Sequence, residues 1–220
     1  AGGDPNAKIG HQLIEPLREL LPPGNWYTSL LAHAAIEKFT DVIQFLLSRG
    51  ARVNATTATE GCNLLWTPLY RAVGRTEAGG WSPLTFATVR LLLSHGADPN
   101  LASGHFPQCT PLTRMMMLPR DPPAPQVDLD LTGLLPLVQM LLRAGADPEG
   151  RVEVLAREGR DHYRSLFDCH GRDYDNLMAQ NYAAVADFLA EVRIAGSWPR
   201  YFLRPHMSCL VLRALSHRGR

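Results

Sequence analysis

A short phrase recurs along this chain at almost constant spacing. It reads GARVN at Gly50–Asn54, GADPN at Gly96–Asn100 and GADPE at Gly145–Glu149, with a truncated echo, GGDPN, at Gly2–Asn6. The copies begin at residues 2, 50, 96 and 145, which are 48, 46 and 49 residues apart. Self-similarity at a period of about 20 to 50 residues is typical of stacked supersecondary units. The chain is therefore expected to fold as a repeat array, and such arrays usually bind other molecules.

Each full copy of the phrase has the chemistry of a helix end. A Leu-Leu pair precedes the glycine at residues 46–47, 92–93 and 141–142. Glycine readily adopts the left-handed conformation that follows the last helical turn, and Asp-Pro disfavours continuation of the helix. We therefore predict helices that end at Gly50, Gly96 and Gly145.

A second phrase marks helix starts. It reads TPLYRA at Thr67–Ala72 and TPLTRM at Thr110–Met115, with a weaker version, SLLAHA, at Ser29–Ala34. Threonine and serine are good N-caps, and proline fits the first helical position, where no N–H is needed. The phrase resembles the Thr-Pro-Leu-His-x-Ala sequence of ankyrin repeats, and the resemblance extends over roughly residues 1–196.

The resemblance implies an all-α fold, an ankyrin-type solenoid of helix-turn-helix repeats with hairpin-like finger loops. In the last unit, Ser165 takes the place of the helix-start threonine, and the second helix continues to Gly196. After this array we expect a C-terminal capping helix in residues 197–220. The predicted units of the array, which spans 1–196, are 1–6 (partial), 25–54, 63–100, 106–149 and 161–196.

The connection between the two helices of a unit varies in length. The helix-start residue precedes the glycine by 21 residues in the first unit, 29 in the second and 35 in the third. The additional sequence, at 75–83 and 119–125, is rich in glycine or proline and would not extend a helix. Two interpretations are open: surface loops that are tolerated because lengthening a loop costs little entropy, or insertions that widen the binding face.

The echo at Gly2–Asn6 belongs at the end of a unit, yet no helix pair precedes it in the sequence. An array normally closes with a polar capping unit, because an apolar end would be exposed. We expect either a further unit upstream or a partner that covers this end.

Composition argues against several classes of partner. The net charge is +1, with 22 basic and 21 acidic residues, so nothing steers the chain to nucleic acid or to an anionic membrane. No apolar run approaches the roughly 20 residues of a membrane span. The four cysteines, at 62, 109, 169 and 209, lack metal-ligand spacing, and we expect free buried thiols with no metal and no cofactor. This favours a reducing intracellular compartment, such as the cytosol, the nucleus or an organelle matrix, over secretion.

Catalytic constellations are weak. Asp168-Cys169-His170 places a thiol beside an imidazole, but adjacent helical residues point about 100° apart and do not pair easily. His33, in the first inner helix, is expected to pack or to form a hydrogen bond rather than to act as a ligand. We therefore expect no enzymatic activity and no catalytic residues in this sequence.

The family resemblance also implies where a partner binds. In ankyrin repeats the binding surface consists of the fingers just before the Thr-Pro-Leu phrase and of the exposed side of the inner helix. Exposed aromatic rings at these positions would be suitable anchors, since Trp and Tyr are enriched in binding hot spots; packing between fingers is the other interpretation. The corresponding residues are Trp26, Thr28, Leu64, Trp66, Tyr70, Arg71, Phe106, Pro107, Cys109, His162 and Arg164.

The function most consistent with these features is a non-catalytic scaffold for protein–protein interaction, as a subunit or adaptor of a larger assembly. Two alternatives remain. Apolar residues recur at helical spacing between Leu203 and Leu215, and they either cover the last unit or contact a second protein. In the second case the first alternative is a substrate-recognition adaptor of a ubiquitin ligase, in which a C-terminal box follows the repeats. The second alternative is that the chain is the repeat portion of a larger enzyme whose catalytic domain is missing from this sequence.

Overall fold

A computed structural model shows pairs of helices stacked side by side. The structure describes residues 5–6, 8–10, 27–59, 62–74, 81–102, 109–117, 133–148, 150–203 and 205. In these residues the strands are β1 (Lys8–Gly10), β2 (Tyr27–Ser29), β3 (Thr57–Thr59) and β4 (Cys62–Trp66); the helices are α1 (Leu30–Ile36), α2 (Thr40–Ser48), α3 (Pro68–Ala72), α4 (Pro83–Ser94), α5 (Pro111–Met116), α6 (Leu134–Arg143), α7 (Gly150–His170) and α8 (Asp173–Ala195).

The helices form two layers. In the inner layer α1 packs on α3, α3 on α5 and α5 on α7; in the outer layer α2 packs on α4 and α6 on α8. Fully buried leucine, valine and methionine side chains fill the space between successive pairs, so each pair buries its apolar face against its neighbours. The all-α repeat class predicted from the sequence is confirmed, with a pair of short antiparallel strands ahead of each of the first two inner helices.

The three predicted helix starts are confirmed in atomic detail. The hydroxyl oxygens of Ser29, Thr67 and Thr110 each accept a hydrogen bond from the backbone N–H three residues later, at 3.1, 3.1 and 3.3 Å. Pro68 and Pro111 stand at the first helical position, where a missing N–H leaves nothing unpaired.

The three predicted helix ends are also confirmed. Gly50, Gly96 and Gly145 have φ angles of +86°, +83° and +93°, in the left-handed region that favours glycine. The alanine after each glycine donates its N–H to the carbonyl oxygen five residues earlier, at 2.9 to 3.0 Å. This is the Schellman arrangement, which satisfies carbonyl groups that the helix leaves unpaired.

Asparagine explains why the whole phrase recurs and not only its glycine. Asn6, Asn54 and Asn100 each accept a hydrogen bond from a backbone N–H of the next copy, that of Arg52, Asp98 and Asp147, at 2.8, 2.9 and 2.8 Å. Each amide nitrogen also donates to the glycine carbonyl of that next copy, at 3.5, 3.1 and 2.8 Å. One polar side chain per unit thus bonds to the backbone of the following unit and sets the spacing between them.

Two hairpins form fingers beside the inner helices. β1 pairs with β2 in antiparallel register, with Ile9 opposite Thr28, and β3 pairs with β4, with Thr57 opposite Trp66. β2 also lies next to β3, so the two fingers are neighbours. Each finger leads directly into the N-cap of an inner helix.

The last helix pair departs from the sequence prediction. α7 is one continuous helix over Gly150–His170, so the helix start predicted at Ser165 is wrong: this residue lies within α7. The apolar stripe Val152, Ala156, Tyr163 continues past Ser165 to the partly buried Leu166, and α7 packs along α8. The predicted continuation of α8 to Gly196 is confirmed, with φ +84° at that glycine.

The regions beyond the helix pairs are described in part. Trp81, in the first insertion, is buried and its indole N–H donates to the Val73 carbonyl at 3.1 Å, so this part of the insertion is structural. Residues 75–80 and 119–125 lie outside the described residues.

Trp198 and Tyr201 pack against Phe188 of α8, with ring centroids 5.9 and 5.5 Å away. The capping helix proposed for 197–220 is helical at 198–203, and residues 206–220 lie outside the described part.

Lys38 connects the first two units. It follows α1 with φ +60°, a conformation usually taken by glycine, and the Phe39 N–H closes the turn on the Ala34 carbonyl at 3.0 Å. The side chain is buried and its ammonium group donates to the Ala72 carbonyl at the C-terminus of α3. Burial lowers the pKa of Lys38 to about 8.

The depressed pKa predicts a dependence of stability on pH. The folded chain releases the Lys38 proton near pH 8, whereas the unfolded chain releases it near its ordinary value of about 10.4. Between these values the unfolded state binds more protons, so raising the pH favours the folded state. Between pH 8 and pH 10, the free energy of unfolding of the wild type should rise by about 1–2 kcal/mol relative to that of Lys38→Met. Urea titrations at each pH measure this difference. The exposed Arg90→Met control should follow the wild type, and equal pH profiles for all three proteins would show that Lys38 titrates normally.

Candidate functional site

The inner-helix face of the second unit combines an aromatic ring with a cation. Trp66, at the end of β4, is half-buried, and the guanidinium carbon of Arg71 on α3 lies 3.8 Å from the centroid of its ring system. Burial first, and then the positive charge of Arg114, lower the pKa of Arg71 to about 10, so the group is still protonated at neutral pH. The predicted pair Trp66 and Arg71 therefore forms one structural element, in which the ring supports the guanidinium.

Tyr70 and Cys109, both predicted as binding residues, are buried instead. They are 7% and 4% exposed, and the Tyr70 hydroxyl lies 3.2 Å from the Cys109 sulfur. This contact joins α3 to the residue that precedes the next helix start. The two side chains stabilise the junction between units, so their assignment to a partner-facing surface is wrong.

Arg114 completes this face and was not among the predicted residues. It is exposed on α5, and its guanidinium carbon lies 5.8 Å from the centroid of the Tyr70 ring. Arg71 and Arg114 both stand four residues after their N-cap threonines, and His33 has the same position after Ser29. The signal was thus present in the sequence, as a basic residue at the fifth position of each helix-start phrase.

His162 and Arg164 are exposed but lie on α7 rather than on a finger. Their assignment to a finger is wrong, because it depended on a helix start at Ser165. Arg164 lines a shallow depression of about 310 Å³ between α7 and α8, together with Arg160, Asp168 and Gln180. It is therefore separated from the face formed by Trp66, Arg71 and Arg114.

The remaining predicted positions are described only in part. Thr28 lies in β2 and Leu64 in β4, so both belong to fingers, as predicted. Trp26, Phe106 and Pro107 lie outside the described residues. The predicted recurrence of aromatic anchors along successive fingers thus remains a prediction, with Trp66 as its one described member.

The cysteine prediction is correct in one case and wrong in another. Cys109 is a buried free thiol, whereas Cys169 is a free thiol that is exposed in the last turn of α7. Cys62 lies in β4, and Cys209 is outside the described residues. Across the described ranges, no group of three or more His, Cys, Asp or Glu side chains is placed to hold a metal ion. None of the helices in these ranges is both long enough and apolar enough to cross a bilayer.

Comparison with known proteins finds similarity to an ankyrin repeat in the second unit. The family model described as Ankyrin repeat matches residues 65–103, from the end of β4 through α3 and α4 to the GADPN phrase. Two curated relatives, both named palmitoyltransferase ZDHHC13, from Pongo abelii and Homo sapiens, are 37% identical over 93 residues. These alignments cover 42% of this chain and 13% of each relative, so the chain matches only a small part of their length. Residues 65–103, with their capped helix pair and glycine helix end, are thus similar to an ankyrin repeat.

Proposed function

We propose that this chain is a non-catalytic scaffold that binds a protein partner through its fingers and inner helices, as a subunit or adaptor of a larger assembly. Ankyrin repeats are protein-interaction units, and here the second unit presents Trp66 and Arg71 next to the finger β3–β4. The observation that carries the proposal is this stacked pair, because tryptophan and arginine are the residues most enriched in binding hot spots.

A second candidate is that the chain is the partner-recognition portion of a larger enzyme. The similarity to a palmitoyltransferase over 93 residues supports this candidate, in which the repeats would select a protein substrate for a catalytic domain elsewhere. The mass of the native protein, measured after immunopurification, distinguishes the two. A mass near the 24.3 kDa of this chain favours the separate scaffold, and an excess much larger than one further repeat unit favours the enzyme.

The ubiquitin-ligase adaptor and the cellular location remain proposals. The adaptor proposal requires that residues 206–220 contact a second protein rather than cover the last unit, and these residues lie outside the described part of the chain. A reducing intracellular compartment is supported by the buried thiol of Cys109, which contacts the Tyr70 hydroxyl.

The test of the scaffold is a substitution in the Trp66–Arg71 pair. Trp66→Ala should weaken binding of the partner by more than about 1 kcal/mol, since truncation removes the ring that orients the guanidinium. Partner capture by affinity purification, followed by calorimetric titration of the purified partner, measures the change. The control is Phe45→Ala, which removes a half-exposed aromatic ring from the outer helix α2. Equal binding by both variants would contradict the proposed surface, provided that circular dichroism shows both to be folded.

A further inference from the structure

The inner layer carries basic residues at one repeated position. His33 on α1, Arg71 on α3 and Arg114 on α5 each stand four residues after the N-cap of their helix. Because α1 packs on α3 and α3 on α5, equivalent positions on these helices lie side by side on one face of the stack. We call Arg71 and Arg114, the two permanent charges of this set, the arginine column.

The arginine column lacks a counter-charge in the described part of the chain. The ion pairs found there join residues between 153 and 193, on α7 and α8, and none includes Arg71 or Arg114. The Nε atom of Arg71 is buried without a hydrogen-bond partner among the described residues. The positive charge of the neighbouring Arg114 is unfavourable to the charge of Arg71. Two like charges are thus held together, one of them largely removed from water.

An aromatic ring lies beside each guanidinium group. Trp66 lies 3.8 Å from Arg71 and Tyr70 lies 5.8 Å from Arg114, measured from guanidinium carbon to ring centroid. Tyr70 is itself held by Cys109. Support of this kind reduces the rotamer entropy that a long side chain loses when it binds, so the donors are ready for an incoming anion.

We infer that the arginine column binds a carboxylate-bearing segment of a protein partner, with aspartate or glutamate side chains pairing with Arg71 and Arg114. The inference rests on the proposed scaffold function and specifies its partner chemistry. A guanidinium group matches a carboxylate through two parallel hydrogen bonds, and the adjacent Trp66 ring offers apolar contact to the residues beside the acid. An acidic peptide is favoured over nucleic acid because the column is narrow and the net charge of the chain is only +1.

The experiment selects peptides from a random phage-displayed library on the full, immobilised chain. The selected peptides should be enriched in Asp and Glu. Synthetic copies in which these residues become Asn and Gln should bind at least about tenfold more weakly by fluorescence anisotropy. Arg114→Gln should weaken the original peptides to a similar extent and should fold normally, because Arg114 is exposed. Arg90→Gln, an exposed arginine on the outer helix α4, is the matched control and should bind like the wild type.

The possible failures of the inference and of the scaffold are distinguishable. The selected peptides could lack acidic enrichment and bind more weakly to Trp66→Ala but not to Arg114→Gln. This result would overturn the inference and would still support the scaffold function. Affinity that falls equally in Arg114→Gln and Arg90→Gln would reveal general charge attraction and would also overturn the inference. So would tighter binding of a labelled single-stranded RNA than of the acidic peptides. Peptide binding that is insensitive to both Trp66→Ala and Arg114→Gln would contradict the binding face itself.

Discussion

Replacing Leu92 by alanine is expected to lower the free energy of unfolding by about 2–5 kcal/mol. Leu92 is fully buried in the outer helix α4, in the core that the second unit shares with its neighbours. Removal of its isobutyl group leaves a cavity that the surrounding helices fill only in part. Urea unfolding followed by circular dichroism measures the loss.

The same helix provides the control for Leu92. Leu84 is 55% exposed, so Leu84→Ala removes the same atoms from a side chain that contacts solvent. Its effect should remain within about 0.5 kcal/mol of the wild type. Similar effects for the two variants would mean that the apolar stripe of α4 does not face the core of the stack.

Replacing Gly159 by alanine is expected to destabilise the last helix pair, although alanine is the better helix former by about 1 kcal/mol. A Cβ atom at position 159 of α7 would lie 2.5 Å from two ring carbons of Tyr182 on α8. Tyr182 is fully buried and stacks on Tyr163, with centroids 5.7 Å apart, so its ring has no free space to enter. We expect a net loss at the upper end of the roughly 1–3 kcal/mol typical of overpacked cores.

Two further variants test the cause of this loss by thermal unfolding. Glu158→Ala changes the exposed neighbour on α7 and should be nearly neutral. The double variant Gly159→Ala, Tyr182→Leu should lose less stability than the sum of its single variants, because the smaller side chain removes the clash. A stabilising Gly159→Ala substitution would contradict the close approach of the two helices.

The sequence predicts those parts of the fold that short-range chemistry determines. An N-cap hydroxyl, a proline at the first helical position and a left-handed glycine each act within a few residues. The helix starts at Thr67 and Thr110 and the helix end at Gly96 were therefore predicted correctly. The last pair lacks such local signals inside α7. There the phase of the repeat suggested a start at Ser165, whereas packing along α8 determines the continuous helix.

The candidate site was predictable only where position in the repeat places a residue on the inner-helix face. Arg71 belongs to the inner-helix face, as expected from its place in the phrase. Tyr70 and Cys109 are buried by their contact with each other, which joins residues 39 positions apart and has no local signature. Arg114 was recognisable by comparing the two Thr-Pro-Leu phrases, but its importance depends on the packing of α3 against α5.

Site-specific photo-crosslinking tests most directly whether the inner-helix face binds the partner. A photoreactive amino acid is placed at position 114 on the inner helix α5 or at position 90 on the outer helix α4, both exposed in the free chain. Each protein is irradiated with the affinity-purified partner, and the products are identified by mass spectrometry. The proposed function predicts cross-links to the partner from position 114 and none from position 90. Cross-links from position 90 alone would contradict it.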